Sequence, residues 1–277
     1  MFLAHPPGIP VDSGGDHFLD PFLLLLQLTD SALPIGGYSH SWGLETAVQA
    51  GQLASEEEVF LYIQGLLSSS LGCLEGNLCG IAHHCAAQRN ADRLAQWQAW
   101  LSANRWPKET RQASLQLGHR LLQLAEKVWR LEPPRPRQEV AGQPQEWHHC
   151  LVFGWIGGQV GIPLASTLHA YLFSQVVSLV SAAVRLVPLG HSQGQSIVIR
   201  LHHPLHALAE KILASRSPDG DPMDLLGFDL GFDLLTSDDR LDPFSRINSG
   251  LTFSAFAPLH ERDCQQHQSL YSRLFQS

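Results

Sequence analysis

From Trp147 to Val184 the chain contains no Asp, Glu, Lys or Arg, and this run limits what the polypeptide can become. A stretch of that length is either a bilayer span, which needs about 20 apolar residues, or helix buried on every side within a large core. Gly157, Gly158, Gly161 and Pro163 interrupt it, and Gln159, Ser166, Thr167, His169, Gln175 and Ser178 add polar groups. Breaks of this kind predict two core helices, near 147–160 and 164–187, joined around Gly161 to Pro163. The expectation is a soluble chain with no membrane segment.

The rest of the sequence carries helical signals. Ser55 and Glu58 form a capping box ahead of Val59, Ile63, Leu66, Leu67 and Ser70, which recur at helical spacing. Helices are predicted over 77–89 and 91–103. Another is predicted to begin at Pro107 and run through Leu117, Leu121, Ala125 and Val128. Phe18 to Leu28 suits a short buried helix. Pro133, Pro134, Pro136 and Pro144 mark a loop between two helical halves, and shorter helices are expected near 191–201 and 204–215. No alternating strand pattern is sustained. The fold class is therefore all-α, a single helical-bundle domain of roughly ten helices spanning 18–256. A Pro- and Gly-rich lead-in at 1–17 is expected to be mobile, and 257–277 forms a C-terminal tail. Between 217 and 243 lie eight Asp and a tandem Gly-Phe-Asp-Leu at 227–230 and 231–234, a composition typical of a solvated acidic loop.

Charge and chemistry exclude several classes. Eighteen Lys and Arg against 26 Asp and Glu give a net charge of −8. Nothing resembles the basic face that nucleic acid requires. Charged residues make up only 16% of the chain, below the usual quarter, so the molecule buries much of itself or offers apolar surface to partners. The five cysteines are odd in number, contain no CxxC and follow no secretory signal, which fits small buried thiols in a reducing compartment. GxxxxGK[ST], HExxH and GxSxG are all absent, so the common phosphate-binding and hydrolase designs are missing.

Fifteen histidines raise a metal hypothesis. Neighbours such as His83-His84, His148-His149 and His202-His203 diverge by about 100° on a helix. His202 and His206 have metal-compatible spacing, but a helix starting near Pro204 would separate them. Surface or capping roles are the expectation, with no metal site and no cofactor. A metal-dependent hydrolase using a His-rich site is the alternative. Gly154, Gly158 and Gly161 would line one helix face, where another backbone could approach, either within the monomer or across a dimer.

Three blocks resemble the UreF family of urease accessory proteins. The first is LQLTDSALPIGGYSHSWGLE at 26–45. The second runs from Phe153 and Gly154 through 182–195. The third comprises 254–258, His267 and 271–277. A weaker match covers Lys108 to Arg111 with Ser114 and Gly118. The resemblance implies an α-helical, cytoplasmic homodimer that is not an enzyme. It would recruit or regulate the urease GTPase UreG on UreD/UreH and urease apoprotein during nickel insertion. By position it implies that His267, Tyr271, Arg273, Leu274 and Phe275 form a UreD/UreH-binding tail. Tyr38, Ser39, His40, Ser41 and Glu45 would hold the N-terminal loop or face the GTPase, and Arg185 would pair across a junction. If this chain also activates the GTPase through an inserted arginine, Arg111 and Arg185 are the candidates. Gln268 and Leu270 depart from the family's usual Glu and Gln.

Overall fold

A computed structural model describes residues 9–10, 18–37, 40–105, 107–137 and 146–214 of the chain. Its only strands among these are two-residue segments, β1 (Ile9–Pro10) and β2 (Phe18–Leu19), paired antiparallel with Ile9 opposite Leu19. The other regular elements among the described residues are helical. The helices are α1 (Pro21–Thr29), α2 (Leu44–Gln49), α3 (Glu56–Ser68), α4 (Asn77–Ala87), α5 (Ala91–Asn104), α6 (Lys108–Lys127), α7 (His149–Val160), α8 (Leu164–Leu186) and α9 (His191–Ala214). A π-helical segment, Ser70–Gly76, leads from α3 into α4.

Local sequence accounts for the helix starts. Asp20 caps α1, its carboxylate accepting from the Leu23 amide at 2.9 Å, with Pro21 in the first turn. The capping box of α3 forms as expected. Ser55 Oγ accepts from the Glu58 amide, and the Glu58 carboxylate accepts from the Ser55 amide at 3.0 Å. Glu56, Glu57 and Glu58 place negative charge on the positive end of the helix dipole. Asn90 caps α5, while Pro107 sits at the N-cap of α6, one residue before the helix begins.

The charge-free run becomes the interior. α7 is buried nearly all round, through Cys150, Leu151, Val152, Phe153, Trp155, Ile156 and Val160. It lies directly on α4. A Cβ on Gly154 would collide with the carbonyl oxygen of Cys79, and one on Gly158 with that of His83, so the two backbones meet without side chains between them. This glycine face therefore serves packing within the monomer. Gly161 does something else, ending α7 in the left-handed region at φ 76°. By length and composition α8 could cross a membrane, but 61% of its apolar window is buried inside the fold. It packs chiefly on α9, and also on α7, α1, α4 and the π segment.

The C-terminal half departs from expectation at one place. The two short helices predicted near 191–201 and 204–215 are a single helix, α9, which passes through Pro204. A proline inside a helix removes one hydrogen bond and costs about 3 kcal/mol. Buried apolar groups on both sides of it, Ile197, Val198 and Leu201 before and Leu205, Ala209 and Ile212 after, hold the two halves in line. Their fusion removes one predicted helix, and α2 adds one that the sequence pattern did not predict, so nine α-helices are present among the described residues against roughly ten expected.

Candidate functional site

Asp30, Leu33, Ile35 and Gly37, between α1 and α2, line a cavity that reaches His149. The turns of this loop are local: Asp30 Oδ1 accepts from the Ala32 amide at 2.9 Å, and Gly36 adopts φ 83°. Two side chains from the body hold it down, Arg120 donating to the Ile35 carbonyl at 3.1 Å and Ser178 to that of Gly37 at 3.4 Å. The chain then turns inward at Trp42, whose φ of 50° is rare for a bulky residue. His40, Ser41, Trp42, Glu45 and Thr46 are all buried. The His40 and Trp42 rings pack at 5.8 Å.

Beneath them lies an ion pair. The π segment points Glu75 into the core, where Arg105 donates to one carboxylate oxygen and the Tyr171 hydroxyl to the other. All three are buried. A carboxylate in such surroundings is tolerated only when both oxygens are paired. Burial holds the Tyr171 phenol well above its ordinary pKa, so it remains a proton donor. The sequence reading missed this triad, although a signal was present: Glu75 is the one Asp, Glu, Lys or Arg between Val59 and Gln88.

Two histidines complete this buried polar centre. His148 has both ring nitrogens engaged, with Ser102 Oγ at 3.1 Å and Ser114 Oγ at 3.0 Å. Burial, helped by the nearby Arg105 and Arg111, lowers its pKa to about 2. His149 packs on Tyr171 and Phe153, at 5.6 and 6.1 Å between ring centres. Its pKa falls to about 4, again mainly through burial, with Arg105 and His40 adding to the effect. Both rings are therefore neutral near pH 7. Burial also pushes the Cys150 thiol up to about 12, which leaves it unreactive. Cys79 and Cys85 are likewise buried and take part in no disulfide.

The space around Trp42 is small. One cavity of about 60 Å³ is lined by Leu28, Ile35, Trp42, Leu117, His149 and Gln175, and another of about 30 Å³ by Trp42, Leu74, Glu75, Arg105 and Thr110. Small-molecule sites run from about 300 Å³ upward, so these cavities have room for water and not for a substrate.

The structure places His40, Ser41 and Glu45 inside the fold, all three buried. Arg185 is exposed near the end of α8. Its Nε donates to the Ser181 carbonyl of its own helix at 3.0 Å, one turn beyond a residue that lines the larger cavity. Arg111 reaches the Arg105 carbonyl at 3.4 Å. Tyr38, Ser39, His267, Tyr271, Arg273, Leu274 and Phe275 lie outside the described residues, as do the acidic 217–243 stretch and Cys264. His206, set apart from His202 in the sequence reading by a helix start at Pro204, shares one continuous helix with it and meets His169 of α8.

The sequence also matches known proteins. The UreF family model matches residues 53–202. The chain is similar to urease accessory protein UreF of Nostoc sp., with 36% identity over 192 residues, covering 68% of this chain and 81% of that protein. It is 31% identical over 258 residues to the UreF of Actinobacillus pleuropneumoniae serotype 5b, covering 91% and 97%. The UreF of Thermosynechococcus vestitus is 29% identical over 255 residues, covering 92% and 97%. Sequence, helical architecture and these matches lead to one conclusion: the chain belongs to the UreF family of urease accessory proteins, and its role is non-catalytic.

Proposed function

We propose that this chain is a cytoplasmic scaffold on which the urease GTPase UreG meets UreD/UreH and urease apoprotein, so that nickel enters the active site. The observation that carries the reading is the family match over most of the chain. Physical features agree with it. Four of the seven exposed large apolar side chains among the described residues, Phe18, Phe22, Leu23 and Leu26, cluster on or just before α1, beside the anchored loop. Exposed apolar rows of this kind mark surfaces that meet other proteins. The family match favours the scaffold over the metal-dependent hydrolase alternative, because the relatives are accessory proteins.

In this reading the buried His40, Ser41 and Glu45 act indirectly, fixing the shape of the loop that Tyr38 and Ser39 belong to. Arg185, exposed one turn beyond Ser181 of the larger cavity, pairs with a partner carboxylate across the junction in this reading. The tail residues His267, Tyr271, Arg273, Leu274 and Phe275 dock on UreD/UreH, and the working form is a homodimer. The test is reconstitution of urease apoprotein with nickel, bicarbonate, GTP, UreG and UreD/UreH, with and without this chain. Nickel-dependent urease activity should rise well above the level reached without it. Equal activation in both mixtures would refute the scaffold role.

A further inference from the structure

The outer edge of the α8–α9 hairpin carries a polar group that the buried polar centre does not use. His169 and Phe173 stand one turn apart on α8, and His202, His206 and Glu210 stand one turn apart on α9. The helices run antiparallel, so His169 meets His206 with the rings stacked at 5.2 Å, and Phe173 meets His202 edge-on at 6.0 Å. Continuing the register sets small Ala165 level with Glu210, which leaves the carboxylate room to approach. His169 is half-buried, whereas His206 and Glu210 are exposed. One ligand atom from each lies within 4.8 Å of the other two.

We propose that His169, His206 and Glu210 form a binding site for a divalent first-row transition ion of the nickel, copper and zinc class. Hydrogen bonding orients the first ligand. His169 Nδ1 lies 2.7 Å from the Ala165 carbonyl, which can only accept, so the ring proton is on Nδ1 and the Nε2 lone pair faces outward. This is the arrangement that fixes the tautomer of metal-binding histidines. His206 Nδ1 lies 3.0 Å from that lone pair. Two nitrogens bound at about 2.1 Å to one ion, at right angles, also stand about 3 Å apart. An ion entering here replaces the proton shared between the rings, and His206 carries its proton on Nε2 instead. Glu210, one turn along from His206, supplies an oxygen and one negative charge. Two imidazoles and a carboxylate suit nickel, copper and zinc more than magnesium or calcium. The exposed side of the cluster leaves the remaining coordination positions to water or to a ligand from another protein.

The site stands apart from the urease reading and is testable on the full chain alone. Calorimetric titration with Ni(II), and separately with Zn(II), should detect a site that His206→Gln or His169→Gln weakens by about tenfold or more. Glu210→Gln should weaken it less. His119→Gln, which alters an exposed histidine on α6 bonded to Gln123, should leave it unchanged. Saturating Ni(II) should raise the Tm of the wild type and not that of His206→Gln, and metal-free circular dichroism should show both equally folded. The proposal is overturned if the tightest site survives His206→Gln and His169→Gln, or if His119→Gln weakens it equally.

Discussion

His148 and His149 sit deep against α6 and Tyr171, while His169 and His206 stack at the rim of the α8–α9 hairpin, and this contrast shows how burial assigns work to one residue type. Inside, burial and the neighbouring Arg105 hold both rings neutral, and each ring is consumed by packing or by hydroxyl partners. At the rim the rings keep water on one side and a lone pair directed at a neighbour. The interior pair can only stabilise or destabilise. The rim pair can bind without disturbing the fold.

The sharpest way to break the contrast is to remove a charge from the interior. Arg105→Ala leaves Glu75 buried with one partner and should cost about 3–5 kcal/mol in chemical denaturation. Replacing Glu75 by Leu in the same chain should recover much of that loss. A cost below about 1 kcal/mol for the single change would mean that water reaches Glu75.

Acidification tests the interior histidines. The unfolded chain takes up protons at each near pH 6.5, whereas folded His149 resists to about 4 and folded His148 to about 2. The unfolded state therefore binds more protons below pH 6.5, and stability falls as the pH drops. Between pH 7 and pH 5 the two should remove about 4 kcal/mol together, about 2 each, as read from urea midpoints. The loss attributable to His149 should level off near pH 4, while that of His148 continues. His148→Gln should halve the drop between pH 7 and pH 5.

Gly158→Ala forces a methyl group into the His83 carbonyl and should cost about 3 kcal/mol. Ser55→Ala removes one half of the capping box and should cost about 1 kcal/mol. At the rim, His206→Gln in metal-free protein should stay within about 0.5 kcal/mol of wild type. A large loss there would turn the stacked pair into a structural clasp and erase the contrast.

How much of this was legible in the sequence depended on distance along the chain. The capping box, the helix starts after Asn90 and Pro107 and the end of α7 at Gly161 rest on residues within a turn of each other, so the pattern alone disclosed them. Pro204 misled for the same reason: its local rule breaks a helix, and only packing on both sides of it overrules that. The block at 26–45 was recognisable, but whether His40 and Glu45 faced inward depended on the π segment, α6 and α8 meeting around Trp42. Glu75 was conspicuous as a lone charge, yet its partners Arg105 and Tyr171 lie 30 and 96 residues away. His169 and His206 are separated by 37 residues and met only because α9 is unbroken.

The most direct test of the scaffold account is co-purification of the full chain with UreD/UreH and UreG, followed by size-exclusion chromatography with light scattering. The account predicts one stable complex whose mass requires two copies of this chain, and loss of UreD/UreH from it when residues 271–277 are removed. A chain that elutes alone under conditions where UreD/UreH and UreG are themselves folded would contradict it.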